Sequence, residues 1–236
     1  LAAPPPPRPP RRRPGAAGPP PPPAPPPPPR RRGRPPASAA NAGDTRGRIL
    51  RAARELFAEK GFHGTGVAEI GDRADVQRGA LYYHIGSKEE LLWQILHDYI
   101  QLMLVEAEQI VAGDDDPISQ LRQLIHSHVR LIIEHRSEVA IQLRDVTALT
   151  GERGAQLQEL RDRVQQCWQR VIDTGYAAGL LRTDDHVVTN SVLGMLNMVT
   201  FWYRPHGEHS PAEIAQILAT TFLDGVVTTT EPHTKG

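Results

Sequence analysis

Residues 65–92 read TGVAEIGDRADVQRGALYYHIGSKEELL, and this stretch decides the fold. Val67, Ile70 and Ala74 recur at i, i+3 and i+7, the apolar stripe of a short helix. Asp75-Val76 follows as a turn, with Val76 plugging back toward that stripe. Gln77 to Ile85 makes a second helix, with Leu81 and Ile85 inward at i, i+4. Arg78, Tyr82, Tyr83 and His84 cannot all point inward with them. Gly86 is expected to end this helix by taking the left-handed conformation of a C-terminal cap. Ser87-Lys88-Glu89-Glu90 reads as a capping box: Ser87 accepts from the amide of Glu90, whose carboxylate reaches back. Lys88 then sits in the first turn of the next helix, where the helix dipole disfavours a cation. That placement asks for an external anion, and a DNA phosphate fits.

Two short helices, a tight turn and a helix with its own start signal form a helix-turn-helix, with the reading motif over about 66–85. The stretch resembles the TetR family of bacterial transcriptional regulators. Matching residues are Thr65, Val67, Ile70, Ala74, Val76, Gly79, Leu81 to His84 and Ser87 to Leu92. Upstream, Ile49-Leu50, Ala53, Leu56 to Ala58 and Gly61-Phe62 match in register. Four positions depart from the pattern. Gly66 replaces a second hydroxyl residue, Gly71 an Ala, Asp75 a Gly and Ile85 a Phe. Gly66 can still cap a helix, and Asp75 can adopt the left-handed turn, less freely than Gly. The resemblance implies a DNA-binding set of Thr65, Gln77, Arg78, Ala80, Tyr82, Tyr83, His84 and Lys88. Arg78 and Gln77 would reach base edges. Thr65, Tyr82, Tyr83, His84 and Lys88 would hold phosphates.

The formal charge of zero hides a strong asymmetry. Residues 1–37 contain 19 of the 23 prolines and eight arginines, with no acid. Such chain cannot bury a core, and 1–43 reads as a disordered Pro/Arg-rich tail. It could add non-specific phosphate attraction or engage a proline-recognising domain; an inert tail is the plainer reading. The first residue is Leu rather than Met, which fits a fragment, a non-standard start or a start placed too early. Residues 44–92 carry eight basic and eight acidic groups. Residues 93–236 carry 11 basic and 19 acidic groups, so the C-terminal body is not itself a nucleic-acid binder. The single cysteine, Cys167, forms no intrachain disulfide, which fits a reducing cytoplasm. No apolar run reaches the ~18 residues of a membrane span.

Nearly all of residues 44–230 reads as helix, giving an all-α chain with a helix-turn-helix head at 44–92, a helical body at 93–230 and a short tail at 231–236. Helix 1 covers about Thr45–Lys60. A long helix runs from Lys88 toward Ala112, spanning roughly 37 Å. Asp116-Pro117 starts the next, with Asp as cap and Pro in the first turn. A break falls near Arg136-Ser137. Another long helix covers about Gln156–Ala178 and closes at Gly179. Asp184-Asp185 opens an apolar helix running through Trp202 to Pro205. Ser210-Pro211-Ala212-Glu213 is a second capping box and starts the final helix. The last two long helices are apolar on more than one face. The resemblance implies that they pair with a second subunit to form a homodimer; burial within one chain is the alternative.

His126, His128, Glu134 and His135 suggest metal ligands at first. Their helical spacing does not converge: His126 and His128 lie on different faces, and His128 and His135 are two turns apart. A solvated or hydrogen-bonded face is the better reading. No GxSxG, HExxH or phosphate-binding glycine loop is present, so neither an enzyme nor a cofactor is expected. Gln142, Trp168, Asn197 and Trp202 are candidates for a pocket in the body. The WYRP-x-G segment at 202–207 is similar to a TetR-like subgroup that senses acyl-coenzyme A thioesters. The resemblance thus implies a cytoplasmic, homodimeric repressor of double-stranded operator DNA, responsive to a small apolar or acyl-coenzyme A effector. Alternatives are a multidrug sensor of the same family, a small-molecule-binding enzyme, and a proline-rich scaffold. Arg144 and Arg204 could meet an anionic group, though surface ion pairs are the plainer expectation.

Overall fold

The computed structural model describes residues 39–228. The expectations for 1–38 and for the tail at 231–236 fall outside the described residues. Ten α-helices follow in the described part, and no extended strand is found there. Helix α1 spans Ala39–Lys60 and starts six residues ahead of the expected Thr45. The added residues include three alanines past the last proline of the tail, good helix formers that outweigh the weaker Asn41 and Gly43. Helix α2 spans Val67–Ala74 and α3 spans Arg78–His84. Asp75 takes the left-handed turn between them at φ +52. The Arg48 guanidinium closes the corner by donating to Ala74 O at 2.9 Å, where carbonyls at a helix end lack partners.

Two local expectations need correction. Gly86 does not take a left-handed cap. Ile85 ends α3 in an extended conformation, its N–H still bonded to Leu81 O at 3.0 Å. Burial of the Ile85 side chain turns the chain before Gly86 is reached. The capping box at Ser87 is only half made. Ser87 Oγ accepts from Glu90 N at 3.1 Å, but the Glu90 carboxylate pairs with Arg153 across the body instead of reaching back. A charged partner is a stronger attractor for that carboxylate than a neutral amide.

Helix α4, Lys88–Val111, runs from the head into the body. Asp116 caps α5, Pro117–Glu134, accepting from Ile118 N and Ser119 N. Then come α6, Arg136–Asp145, a 3-10 turn at 146–148, and α7, Gly151–Ala177. The start of α7 precedes the expected Gln156. Two glycines permit the tight entry: Gly151 adopts φ +62, and a Cβ on Gly154 would meet Leu149 O at 2.6 Å. Gly179 closes α7 at φ +70. The expected single helix to Trp202 is two: α8, His186–Asn197, and the one-turn α9, Val199–Trp202. Phe201 N–H bonds Met198 O three residues back, so the chain tightens at the junction. Ser210 and Glu213 make both bonds of the second capping box and start α10, Pro211–Val226.

One apolar core runs through head and body. Ile49, Leu56, Phe57, Ile70 and Leu81 fill the head; Leu96, Leu104, Ile125, Trp168 and Ile172 fill the body. In the body α4 lies along α7, and α10 along α5. The head touches the body through α1, which packs on both α4 and α6.

Candidate nucleic-acid interface and effector cavity

Helix α3 is anchored by Leu81 and Ile85, both buried, and this forces its other residues outward. Gln77, the N-cap, and Ala80 are exposed. Tyr82 is 50% and Tyr83 86% exposed, the latter edge-on to the half-buried His84 at 5.3 Å. So large a phenol left in water has little packing role, but it can serve a partner. Arg78 begins α3; its side chain lies outside the described residues.

Thr65 and Lys88 sit differently from the rest of the expected set. Thr65 is only 3% exposed, and its hydroxyl faces Gly61 O at 2.8 Å and Leu56 O at 3.2 Å. A buried hydroxyl already bonded inside cannot also hold a phosphate. Thr65 instead braces the end of α1. The Lys88 ammonium donates to Phe62 O at 2.9 Å and Thr65 O at 3.0 Å, and lies 4.3 Å above the Phe62 ring. Internal carbonyls therefore offset the unfavourable dipole at its helix start. One of its three donors remains for a phosphate. Lys60 pairs with Glu69, and Arg73 faces Glu55 and Glu59.

The joint between head and body was not anticipated from the sequence. Asp145, at the end of α6, is buried and accepts from the backbone N–H of Phe62 at 3.1 Å. Arg144 Nε donates to the same carboxylate at 3.0 Å, and its other nitrogens reach Ala58 O and Phe57 O at the end of α1. Arg144 is thus committed to the head rather than to an anion. Also on α6, Glu138 pairs with Arg54 of α1 at 2.9 Å. Arg204 donates to the nearby carbonyls of Phe201 and Tyr203.

The other side of α6 lines a cavity of about 250 Å³ between α4, α5, α6, α7 and α8. Gln142 and Asn197 are in its wall, as are Tyr99 and His128. Trp168 and Trp202 are not. Trp168 is 1% exposed and lies beneath the wall, edge-on to His128 at 5.7 Å. Trp202 is 49% exposed on the outer surface. Spacing along a helix gives the face but not the depth, so these two indoles could not be told apart in the sequence. Among the described residues no His, Cys, Asp and Glu group could hold a metal ion.

His128 is fully enclosed, and its Nε2–H donates to Asn197 Oδ1 at 3.2 Å. Burial lowers its pKa from 6.5 to about 4, the Asn197 bond opposing weakly. The folded pKa lies below the unfolded one. The stability contributed is therefore complete above pH 6.5 and is lost as pH falls toward 4. The loss is about 3 kcal/mol. We expect melting midpoints of the His128→Gln variant to fall less between pH 7.5 and pH 5 than those of the parent. Parallel pH profiles would rule out burial of a neutral imidazole.

Two family models match the chain. That of the bacterial regulatory proteins of the tetR family covers residues 49–95, and that of the tetracyclin repressor-like C-terminal domain covers 114–226. The HTH-type transcriptional repressor KstR2 of Rhodococcus jostii (strain RHA1) is 30% identical over 204 residues, 84% of this chain and 98% of that protein. The chain belongs to the TetR family of bacterial transcriptional regulators. As a TetR-family protein it is a DNA-binding regulator and not an enzyme, and α2 and α3 are its helix-turn-helix. The TetR-family regulator PfmR from Thermus thermophilus superposes with a TM-score of 0.69 at 30% identity, over 75% of this chain and 97% of that one. The structure of AibR in complex with isovaleryl coenzyme A and operator DNA superposes equally well at 26% identity, over 75% and 97%. No helix among the described residues is long and apolar enough to cross a membrane.

Proposed function

We propose that this regulator is a cytoplasmic homodimeric repressor that leaves its operator when a short acyl thioester, or a similar small molecule, enters the body cavity. The observation that carries this reading is the position of α6. One short helix lends Val139, Gln142 and Leu143 to the cavity and Glu138, Arg144 and Asp145 to the head. Tyr99, Ile100 and Met103 of α4 line the same cavity, and α4 begins in the head. A ligand that fits better when α6 and α4 have shifted would bias the head through bonds already present. It must bind the two head positions unequally for this to work. The isovaleryl coenzyme A bound by AibR supports a short acyl thioester as the ligand type. A planar cationic drug is the weaker reading. The cavity's acid, Asp162, is exposed and bonded to Gln158, leaving no buried carboxylate to meet a cation.

In this reading α3 enters the major groove. Arg78 and Gln77 read base edges beside the small Gly79 and Ala80. Tyr82, Tyr83, His84 and the remaining donor of Lys88 hold phosphates. Thr65 contributes by fixing the corner that carries them. The dimer would form on the outer face of α8, α9 and α10. There Val187, Met198, Phe201, Trp202 and Ile217 are all about half exposed, an apolar area with no partner in the single chain. Placing a charge on that face is costly once it is covered, so Trp202→Glu is expected to sediment as a monomer where the parent sediments as a dimer. An unchanged sedimentation coefficient would remove this face from the interface.

The effector half of the reading is tested by titrating acyl-coenzyme A thioesters of increasing chain length against the protein–operator complex. Release by short acyl chains is expected. Each tenfold loss of operator affinity corresponds to ~1.4 kcal/mol, and operator DNA must weaken thioester binding by the same factor. Release by cationic drugs alone would replace the thioester with a drug.

A further inference from the structure

Gly33, six residues ahead of α1, stands in the run RRRGRPP at 30–36, between Arg32 and Arg34. No acid precedes Asp44 in the sequence to neutralise these arginines. Helix α1 fixes where this run leaves the folded part. The later half of α1 is held to the body. Arg54 pairs with Glu138 of α6, and the Phe62 N–H just past the helix end bonds Asp145. The earlier half is held to the turn of the helix-turn-helix, where Arg48 donates to Ala74 O at 2.9 Å and to Asp75 O at 3.3 Å. That turn leads into α3 at Arg78. The chain ahead of α1 therefore departs on the side of the reading turn, with the body behind it. From Arg48 back to Ala39 the helix covers about 13 Å. The six residues from there to Gly33 span at most about 22 Å more. Gly33 is thus within reach of DNA about one helical turn, ~34–36 Å, from the reading turn.

We propose that Arg32-Gly33-Arg34 lies in the minor groove of A·T-rich DNA flanking the operator half-site, as a second reading element beside α3. The chemistry of the run fits that groove. A narrow A·T minor groove concentrates negative potential, which attracts arginine. Its floor presents acceptors alone, suited to guanidinium donors; a G·C pair adds an amino group that repels them. The groove is only about 6 Å wide, and Gly33 has no side chain to hold the backbone off its floor. The residue before a proline disfavours helix, so Arg34 suits an extended chain laid along a groove. Charge alone would also allow the run to lie on the body, which has 19 acids against 11 bases over 93–236. Many of those acids are engaged already: Glu106, Glu108 and Glu138 with arginines, and Asp116, Asp185 and Glu213 in helix caps. A duplex instead offers one phosphate per ~1.7 Å of its axis. The inference rests on operator binding by the helix-turn-helix and adds a flank preference to it.

The test compares the full chain with an Arg32→Ala/Arg34→Ala double variant and a Gly33→Val variant, both at full length. Each is titrated at physiological salt with duplexes that keep the protected repeat and carry A·T, G·C or inosine·C pairs over about ten base pairs on each side. Inosine lacks the guanine amino group, so inosine·C combines the minor-groove face of A·T with the major-groove face of G·C. The parent is expected to bind A·T and inosine·C flanks about tenfold more tightly than G·C flanks, the cost of about one poorly matched base pair. The double variant should bind all three alike, no more tightly than the parent binds G·C. Gly33→Val keeps both charges and should also lose the preference. Equal affinity of the parent for the three flanks, inosine·C behaving like G·C, or a preference that survives in either variant would overturn the inference. Tighter DNA binding by the double variant than by the parent would overturn it in favour of a run held on the acidic body. The same flanks placed on a random duplex separate the two readings. A flank preference there, with no gain in affinity from the repeat, would leave this inference standing and remove operator recognition.

Discussion

Replacing Asp145 by alanine is expected to lower stability by about 3 kcal/mol and to detach the head from α6. The carboxylate is buried and carries two bonds at once, from Phe62 N–H and from Arg144. Its loss strands a backbone donor at the turn after α1, a cost of about 1–3 kcal/mol. It also deprives a guanidinium of its anion next to carbonyls that it must still serve, and breaking such pairs from one side is costly. Asp145→Asn keeps an acceptor for Phe62 and should cost less. The functional consequence differs from the thermal one. With the clamp gone, effector should still enter the cavity, but operator affinity should respond to it less. Chemical denaturation of the three proteins, followed by operator titrations with and without effector, checks both parts. Equal denaturation midpoints for the parent and the alanine variant would remove Asp145 from this role.

Trp168→Ala should be the most destabilising single truncation in the body, at about 3–5 kcal/mol. The indole is among the largest fully buried side chains, and it supports the His128 ring that forms part of the cavity wall. Deleting it leaves a void that helices already packed on several sides cannot close. The exposed Trp202 gives the contrast: its truncation to alanine should barely move the unfolding midpoint of a single chain while weakening self-association. If Trp168→Ala proves no worse than Trp202→Ala, the burial assigned to these two residues is wrong.

The comparison of these indoles shows what a sequence discloses and what it does not. Periodicity and caps depend on neighbours along the chain, so they were legible. The stripe at Val67, Ile70 and Ala74, the left-handed Asp75, the Asp116 cap and the Ser210–Glu213 box could all be read directly. Features decided by distant residues were not. Thr65 turns inward because carbonyls at Leu56 and Gly61 lie within its reach. Glu90 abandons its capping role because Arg153 approaches from α7. Lys88 finds two carbonyls across the head. The body cavity was half legible: Gln142 and Asn197 are in its wall, but Tyr99 was not singled out and His128 was read only as a solvated or hydrogen-bonded histidine. The clamp of Arg144 and Asp145 gave almost no signal, because a charged pair near a helix end is ordinary until the turn it grips is in view.

Sequence-specific operator recognition through α3 is the centre of the account. The direct measurement is equilibrium binding of the protein, at physiological salt, to the DNA upstream of its own gene and to a random duplex of equal length. An inverted repeat with half-sites about 34–36 Å apart should be protected. Affinity for it should exceed that for the random duplex by about 10³ or more. Equal affinity for the two duplexes would contradict the account.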